Sequence, residues 1–160
     1  MLLIIDGHNL IPHLPGLSLS DVEDESALIR LLGEYARLRR KSVEVYFDRA
    51  PAAQAGVRKV GQVKAHFVRQ GITADEAIMQ RLQQLGKRAK NVRVVSSDRQ
   101  VQQAGRAAHA GVVASSAFAD EIKKIMEEEP ELNPRDRLLS ENEVEAWERL
   151  FRQGHPPQEN

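Results

Sequence analysis

The feature that most restricts this chain is its opening, MLLIIDGHNLI. Leu2, Leu3, Ile4 and Ile5 run without alternation into Asp6, Gly7, His8 and Asn9. A strand with no polar face suits a sheet covered on both sides, as in the middle of a parallel sheet between helices. Such a strand carries whatever follows it to its carboxyl edge. Here that is a carboxylate, a glycine and two polar side chains, and open α/β sheets place their ligands at that edge.

The rest of the chain repeats the theme. Pro12, Pro15 and Gly16 mark a loop. Ser20 with Glu23 forms a capping-box pattern, followed by a helix whose stripe is Leu28, Leu31, Leu32, Tyr35 and Leu38. Val43 to Asp48 (VEVYFD) predicts a second strand that again ends on an aspartate. Residues 49–62 show neither period and contain Pro51, Gly56 and Gly61, so they are expected to be an irregular connection beside the active edge. Val63 to Val68 predicts a strand near a sheet margin, because Lys64 and His66 interrupt it. Thr73 and Glu76 then box a helix carrying Ile78, Leu82, Leu85 and Ala89. Val92 to Ser96 is a strand, and Ser97 and Asp98 open a helix with Val101, Ala104, Gly105 and Ala108. Gly111 to Ser115 is the last strand, and Ser116 starts a helix carrying Phe118, Ile122 and Ile125. Pro130 and Pro134 bound a polar linker. Ser140 and Glu143 cap a terminal helix with Val144, Trp147, Leu150 and Phe151 on one face, followed by a disordered end.

Strands alternating with helices predict a three-layer α/β/α sandwich with a mainly parallel central sheet, plus a C-terminal helix. Residues 1–129 form the domain and 130–160 the linker and docked helix. The 160 residues include no cysteine, which excludes disulfides and thiolate metal sites. The opening apolar run is too short for a membrane span or a signal peptide, so a cytoplasmic protein without a membrane partner is expected. Net charge is zero, but residues 121–160 hold six Lys/Arg against eleven Asp/Glu, leaving 17 against 12 elsewhere. An acidic tail can therefore mask a basic working face.

Parallel strands point their carboxyl ends one way, so Asp6, Asp48 and Asp98 should meet at one edge, with Asp75 beside them at a helix start. Taken singly, each aspartate can serve as a cap or turn residue. Taken together they repel, at a cost of about 1 kcal/mol or more per close pair near a surface. Such a cluster persists where a cation or catalysis needs it. Oxygen donors without cysteine, or histidine at ligand spacing, favour Mg²⁺ or Mn²⁺ over zinc. A carboxylate-held metal with free waters suits phosphodiester hydrolysis. Asn9 would orient water or phosphate, and Ser97 would donate to phosphate or cap its helix. Glu76 is explained by capping, and the lone His8 reads as a surface residue. His66, His109 and His155 lack ligand spacing and read as bystanders.

DGHNLI, VYFD, ITADEAI, VVSSDRQVQ and SSAFADEI, in that order over residues 1 to 126, resemble the YacP-like branch of the NYN domains, in the PIN-like superfamily of metal-dependent ribonucleases. The resemblance implies an endoribonuclease whose metal cluster falls on Asp6, Asp75 and Asp98, with Asp48 as a fourth member and Asn9 as the polar residue after the first acid. Ser115 and Ser116 match the family's second serine-rich turn, with Asp120 a turn further on. His8 stands where DGYN versions carry an aromatic residue. RNA is the implied partner, and relatives are linked to ribosome-associated mRNA cleavage and RNA processing. Aromatic content of 4% offers few stacking platforms. Phosphate contacts would come from Arg49, Arg58, Lys59 and Arg99. The alternatives are a non-catalytic RNA- or ribosome-binding module and a receiver-like signalling domain. The intact acidic set argues against the first. Against the second, the last strand ends in Ala114, Ser115 and Ser116 without the lysine such domains use. A dinucleotide site fails for lack of GxGxxG after the first strand.

Overall fold

The opening strand sits where its two apolar faces require. In the computed structural model, which describes residues 1–15 and 23–128, β1 (Leu2–Asp6) lies between β2 (Ser42–Ala50) and β5 (Val92–Val95) and runs parallel to both. Beyond β2 come β4 (Val63–Arg69), also parallel, and then β3 (Gly56–Val60), antiparallel at the margin. Beyond β5 comes β6 (Gly111–Val113), parallel. The order across the sheet is β3-β4-β2-β1-β5-β6. A short α1 (Gly7–Leu10) follows β1, and the longer helices are α2 (Glu23–Arg39), α3 (Ala74–Leu85), α4 (Arg99–Ala107) and α5 (Ser115–Glu128).

Alternation along β1 sorts its unbroken run into two cores. Leu3 and Ile5 join Val45 and Phe47 against Leu28, Leu32 and Tyr35 of α2 and Phe118 and Ile122 of α5. Ile4 joins Tyr46 and Val94 against Ile78 and Leu82 of α3 and Val101 of α4. Each fully buried aliphatic or aromatic side chain contributes about 1.5–3 kcal/mol. Covering both faces is therefore what holds β1 in the centre. The α/β/α sandwich is the expected one, and the stripe of α2 is buried as its spacing requires, with Leu38 half-buried at its end.

Residues 49–62 correct the expectation. The connection is not irregular: β2 continues to Ala50, a single helical turn spans Ala52–Gln54, and β3 pairs back onto β4 as a hairpin. All five residues of β3 are exposed, so no alternation marked it as a strand. Its glycines read as breakers because they sit at its ends. Gly61 adopts φ +58° in the turn, a conformation that glycine reaches without steric cost. The strand also departs from the rule that all carboxyl ends point one way, but it carries no carboxylate. The expected cap at Ser20, the linker and the terminal helix with Trp147 lie outside the described residues.

Candidate active site

Three local devices deliver the carboxylates. Asp6 ends β1 and is 6% exposed. Its carboxylate accepts from the Ser96 hydroxyl at 3.3 Å and from the backbone N–H of Asn9. The Ser96 oxygen in turn accepts from the Asp98 N–H at 3.0 Å, so one hydroxyl couples both acids. Asp98 is the N-cap of α4, its Oδ1 accepting from the amides of Gln100 and Val101 at 2.8 and 3.2 Å. Asp75 lies in the first turn of α3, which starts at the expected capping box. There the Thr73 hydroxyl accepts from the Glu76 N–H at 3.1 Å, and the Glu76 carboxylate accepts from the Thr73 N–H at 3.0 Å. Both helices thus aim their positive ends at the acids.

The acids feel one another. Burial first, then the charge of Asp75 and to a lesser degree Asp48, raise the Asp6 pKa from 3.8 to about 6. Asp75 is also raised, by burial and then by the charge of Asp98 and a hydrogen bond to it, with a smaller push from Asp48. A hydrogen bond between two carboxyl groups requires a shared proton, which a cation can replace. Among the described residues, no three His, Asp or Glu side chains stand in ready ligating geometry. The donor set nevertheless fits a hard divalent ion: the acids are oxygen-only and mutually repelling, and the leading influences on Asp6 and Asp75 include no basic side chain.

Asp48 is differently placed. Its Oδ1 meets Nδ1 of His8 at 2.9 Å, and the other ring nitrogen of His8 meets Glu25 Oε2 at 2.5 Å. Burial works to lower the His8 pKa, but the two carboxylates outweigh it and hold the imidazole above its ordinary value. His8 is therefore not the surface residue its isolation suggested. It is a half-buried bridge between β2 and α2, packed on the Phe47 ring at 5.3 Å. Neither His8 nor Glu25 carried a sequence signal, since their partners are remote in the chain.

The polar residues of the loop form a knot. Asn9 Oδ1 accepts from the Ser97 N–H at 2.8 Å and from the buried Ser115 hydroxyl at 2.5 Å, while Ser97 Oγ accepts from the Ser115 N–H at 3.0 Å. This ties the loop after β1 to the segment leading into α4 and to the start of α5. Arg49 is the exposed penultimate residue of β2, at φ 62°. Arg99 is the exposed first residue of α4. Arg58 and Lys59 are carried by β3, and Arg58 lies over the Phe67 ring at 4.6 Å. Asp120 stands apart, exposed on α5 and paired with Lys123 at 3.9 Å.

A sequence profile of the YacP-like NYN domain matches residues 3–152. The chain belongs to that family. Crystal structures of Rae1 (YacP) from Bacillus subtilis have the same fold. One, of a point mutant, is 26% identical with a TM-score of 0.63, covering 94% of this chain and 91% of the other. A second is 24% identical with a TM-score of 0.64, covering 95% of each chain. No curated protein sequence matches this chain. The domain is of the nuclease type, and the carboxylates described above lie on a PIN-like nuclease fold. No helix among the described residues is long and apolar enough to cross a membrane.

Proposed function

We propose that the protein is a metal-dependent endoribonuclease. The observation that carries this reading is the convergence of Asp6, Asp75 and Asp98 at one sheet edge, where burial and then the charge of Asp75 raise Asp6 to about 6, and burial and then the charge of Asp98 raise Asp75. Family membership supports RNA as the substrate, and the Rae1 likeness supports the fold on which it would act.

Asp6, Asp75 and Asp98 would hold Mg²⁺ or Mn²⁺, with Asp48 at the margin because its Oδ1 is given to His8. When bound, the ion supplies Lewis-acid activation of the phosphodiester and of the attacking water. The chain's own residues do the rest. The amino ends of α3 and α4 offset negative charge brought to the edge. The Asn9 amide nitrogen, its oxygen already engaged, is free to donate to a phosphate or to orient water. Ser97 keeps its hydroxyl proton for the same purpose, since its oxygen serves as acceptor to Ser115. Arg49 and Arg99 hold flanking phosphates. Ribosome association and a cytoplasmic site of action are part of the same proposal.

Asp6→Asn and Asp98→Asn test it. Asparagine keeps the acceptor that Ser96 and Asn9 use, and it is as good an N-cap as aspartate, so both variants should fold. Cleavage of labelled single-stranded RNA in Mg²⁺ should fall more than about 100-fold, beyond the roughly 10–100-fold typical when only an outer partner of a metal is removed. EDTA should abolish the wild-type reaction. Undiminished metal-dependent cleavage by both variants would overturn the assignment.

A further inference from the structure

Between Asp48 and Asp75 the chain carries five Lys/Arg and no Asp/Glu, in a protein whose net charge is zero. Four of the five lie on the β3–β4 hairpin or at its end: Arg58, Lys59, Lys64 and Arg69. The ladder decides which face each one takes. Residues directly opposite in an antiparallel pair share a face. Val57 stands opposite His66, and Lys59 opposite Lys64. His66 is stacked on Tyr46, ring centroids 4.3 Å apart, and Tyr46 belongs to the core under α3. Val57, Lys59 and Lys64 are therefore on the α3 side, whereas Arg58, opposite Ala65, is on the α2 side.

The two sides are covered unequally. On one, α2 packs over β2 and β4 and reaches β3. On the other, α3 packs on β1 and β2. Among the described residues, the hairpin's face stands open beyond α3, with Lys59 and Lys64 exposed and Val57 59% exposed. The register connects this face to the acids. Asp6, Tyr46, His66 and Val57 form one row across the sheet, and Ile4, Glu44, Lys64 and Lys59 the row below. Three inter-strand spacings separate Asp6 from Val57, about 14 Å. Within the lower row Glu44 is already committed, held bidentately by Arg81 at 2.8 to 3.2 Å. Among the described residues of the hairpin, no acid stands on the open part to neutralise the lysines. Like charges set directly opposite in a sheet destabilise it, so Lys59 and Lys64 work against the hairpin's own stability.

We infer that the open α3-side face of the β3–β4 hairpin, through Lys59 and Lys64, binds the phosphates of single-stranded RNA flanking the cleaved bond. The inference rests on the proposed nuclease reading and adds to it a track outside the catalytic edge. The occupant is polyanionic because, among the described residues, the exposed side chains of this face are the two lysines and one valine. Binding along the RNA backbone is sequence-tolerant, because phosphate contacts position without reading bases.

The test uses the full chain carrying Asp98→Asn, to prevent turnover, and a fluorescein-labelled mixed-sequence oligoribonucleotide of about 12 nucleotides, within the span usual for single-strand sites. Anisotropy titrations over a salt series give affinity and salt slope. Adding Lys59→Gln and Lys64→Gln should weaken binding about 10-fold and reduce the slope by about 0.7 for each phosphate no longer neutralised. The same neutralisation at Lys87 and Lys90, exposed just before β5 at the opposite edge of the sheet, should change neither. Thermal unfolding of the Lys59/Lys64 variant should be unchanged or slightly raised, because a repulsive pair has gone. Equal losses from the two lysine pairs, or no loss from the hairpin pair, would sink the inference while leaving the nuclease reading intact. Failure of the parent protein to bind RNA at all would sink both.

Discussion

An aspartate that is 6% exposed, with two other carboxylates in range, keeps its proton to about pH 6. The consequence for stability has a definite sign. Near pH 4 and below, folded and unfolded chains both carry that proton and the group costs little. As pH rises through 6, the folded chain must ionise Asp6 in its buried setting, whereas the unfolded chain has already ionised its own in water. Stability is lost over that window, by about 3 kcal/mol at the limit. Asp75 shifts in the same direction and adds to the effect. The metal-free Asp6→Asn variant should therefore be more stable than wild type at pH 8, by about 1–3 kcal/mol, with the difference fading near pH 4. Urea denaturation at the two pH values reads this directly. A variant less stable than wild type at pH 8 would mean that Asp6 is favourably paired. His8 shows the opposite balance: two carboxylates draw its proton in more strongly than burial expels it.

At the scale of elements, the acids are positioned by how each strand or helix begins and ends. The Thr73–Glu76 box and the Asp98 cap are written in four-residue patterns, and both formed where the spacing placed them. The turn after β1 depends on something less local. Gly7 needs its missing side chain not for backbone freedom but for space, because an added Cβ would lie 2.4 Å from Cε1 of the buried Phe47 ring. Overpacking of that kind costs about 1–3 kcal/mol, and the ring cannot retreat through a core it shares with Leu3 and Ile5. Gly7→Ala should lower the urea midpoint accordingly and move the turn carrying His8 and Asn9. An unchanged midpoint would show that Phe47 can swing away. The β3–β4 hairpin is the element that pattern reading missed. A two-sided exposed edge strand has no hydrophobic period to detect, and only its pairing onto β4 reveals it.

For the molecule as a whole, carboxylates from β1, α3 and α4 converge at one edge, where the ionised forms of Asp6 and Asp75 oppose folding and the proposed cation would relieve them. Binding to the folded state alone should then raise stability by mass action, about 2.7 kcal/mol at roughly 100-fold excess over Kd. For a chain of this size that is a rise of about 5–10 °C in Tm. Differential scanning calorimetry with Mn²⁺ against EDTA should show it in wild type and lose most of it in Asp6→Asn; an equal shift in both would place the ion elsewhere. The order of apolar runs and caps was enough to predict a mainly parallel sandwich with Asp6, Asp48, Asp75 and Asp98 near one edge, because periodicity and capping act over a few residues. Tertiary structure alone brought Glu25 to His8 across 17 positions and Asp48 to His8 across 40. It also turned Lys59 and Lys64 to one open face and Arg58 to the other. Those outcomes depend on strand register and on which helix covers which strand, and no short stretch of chain encodes either.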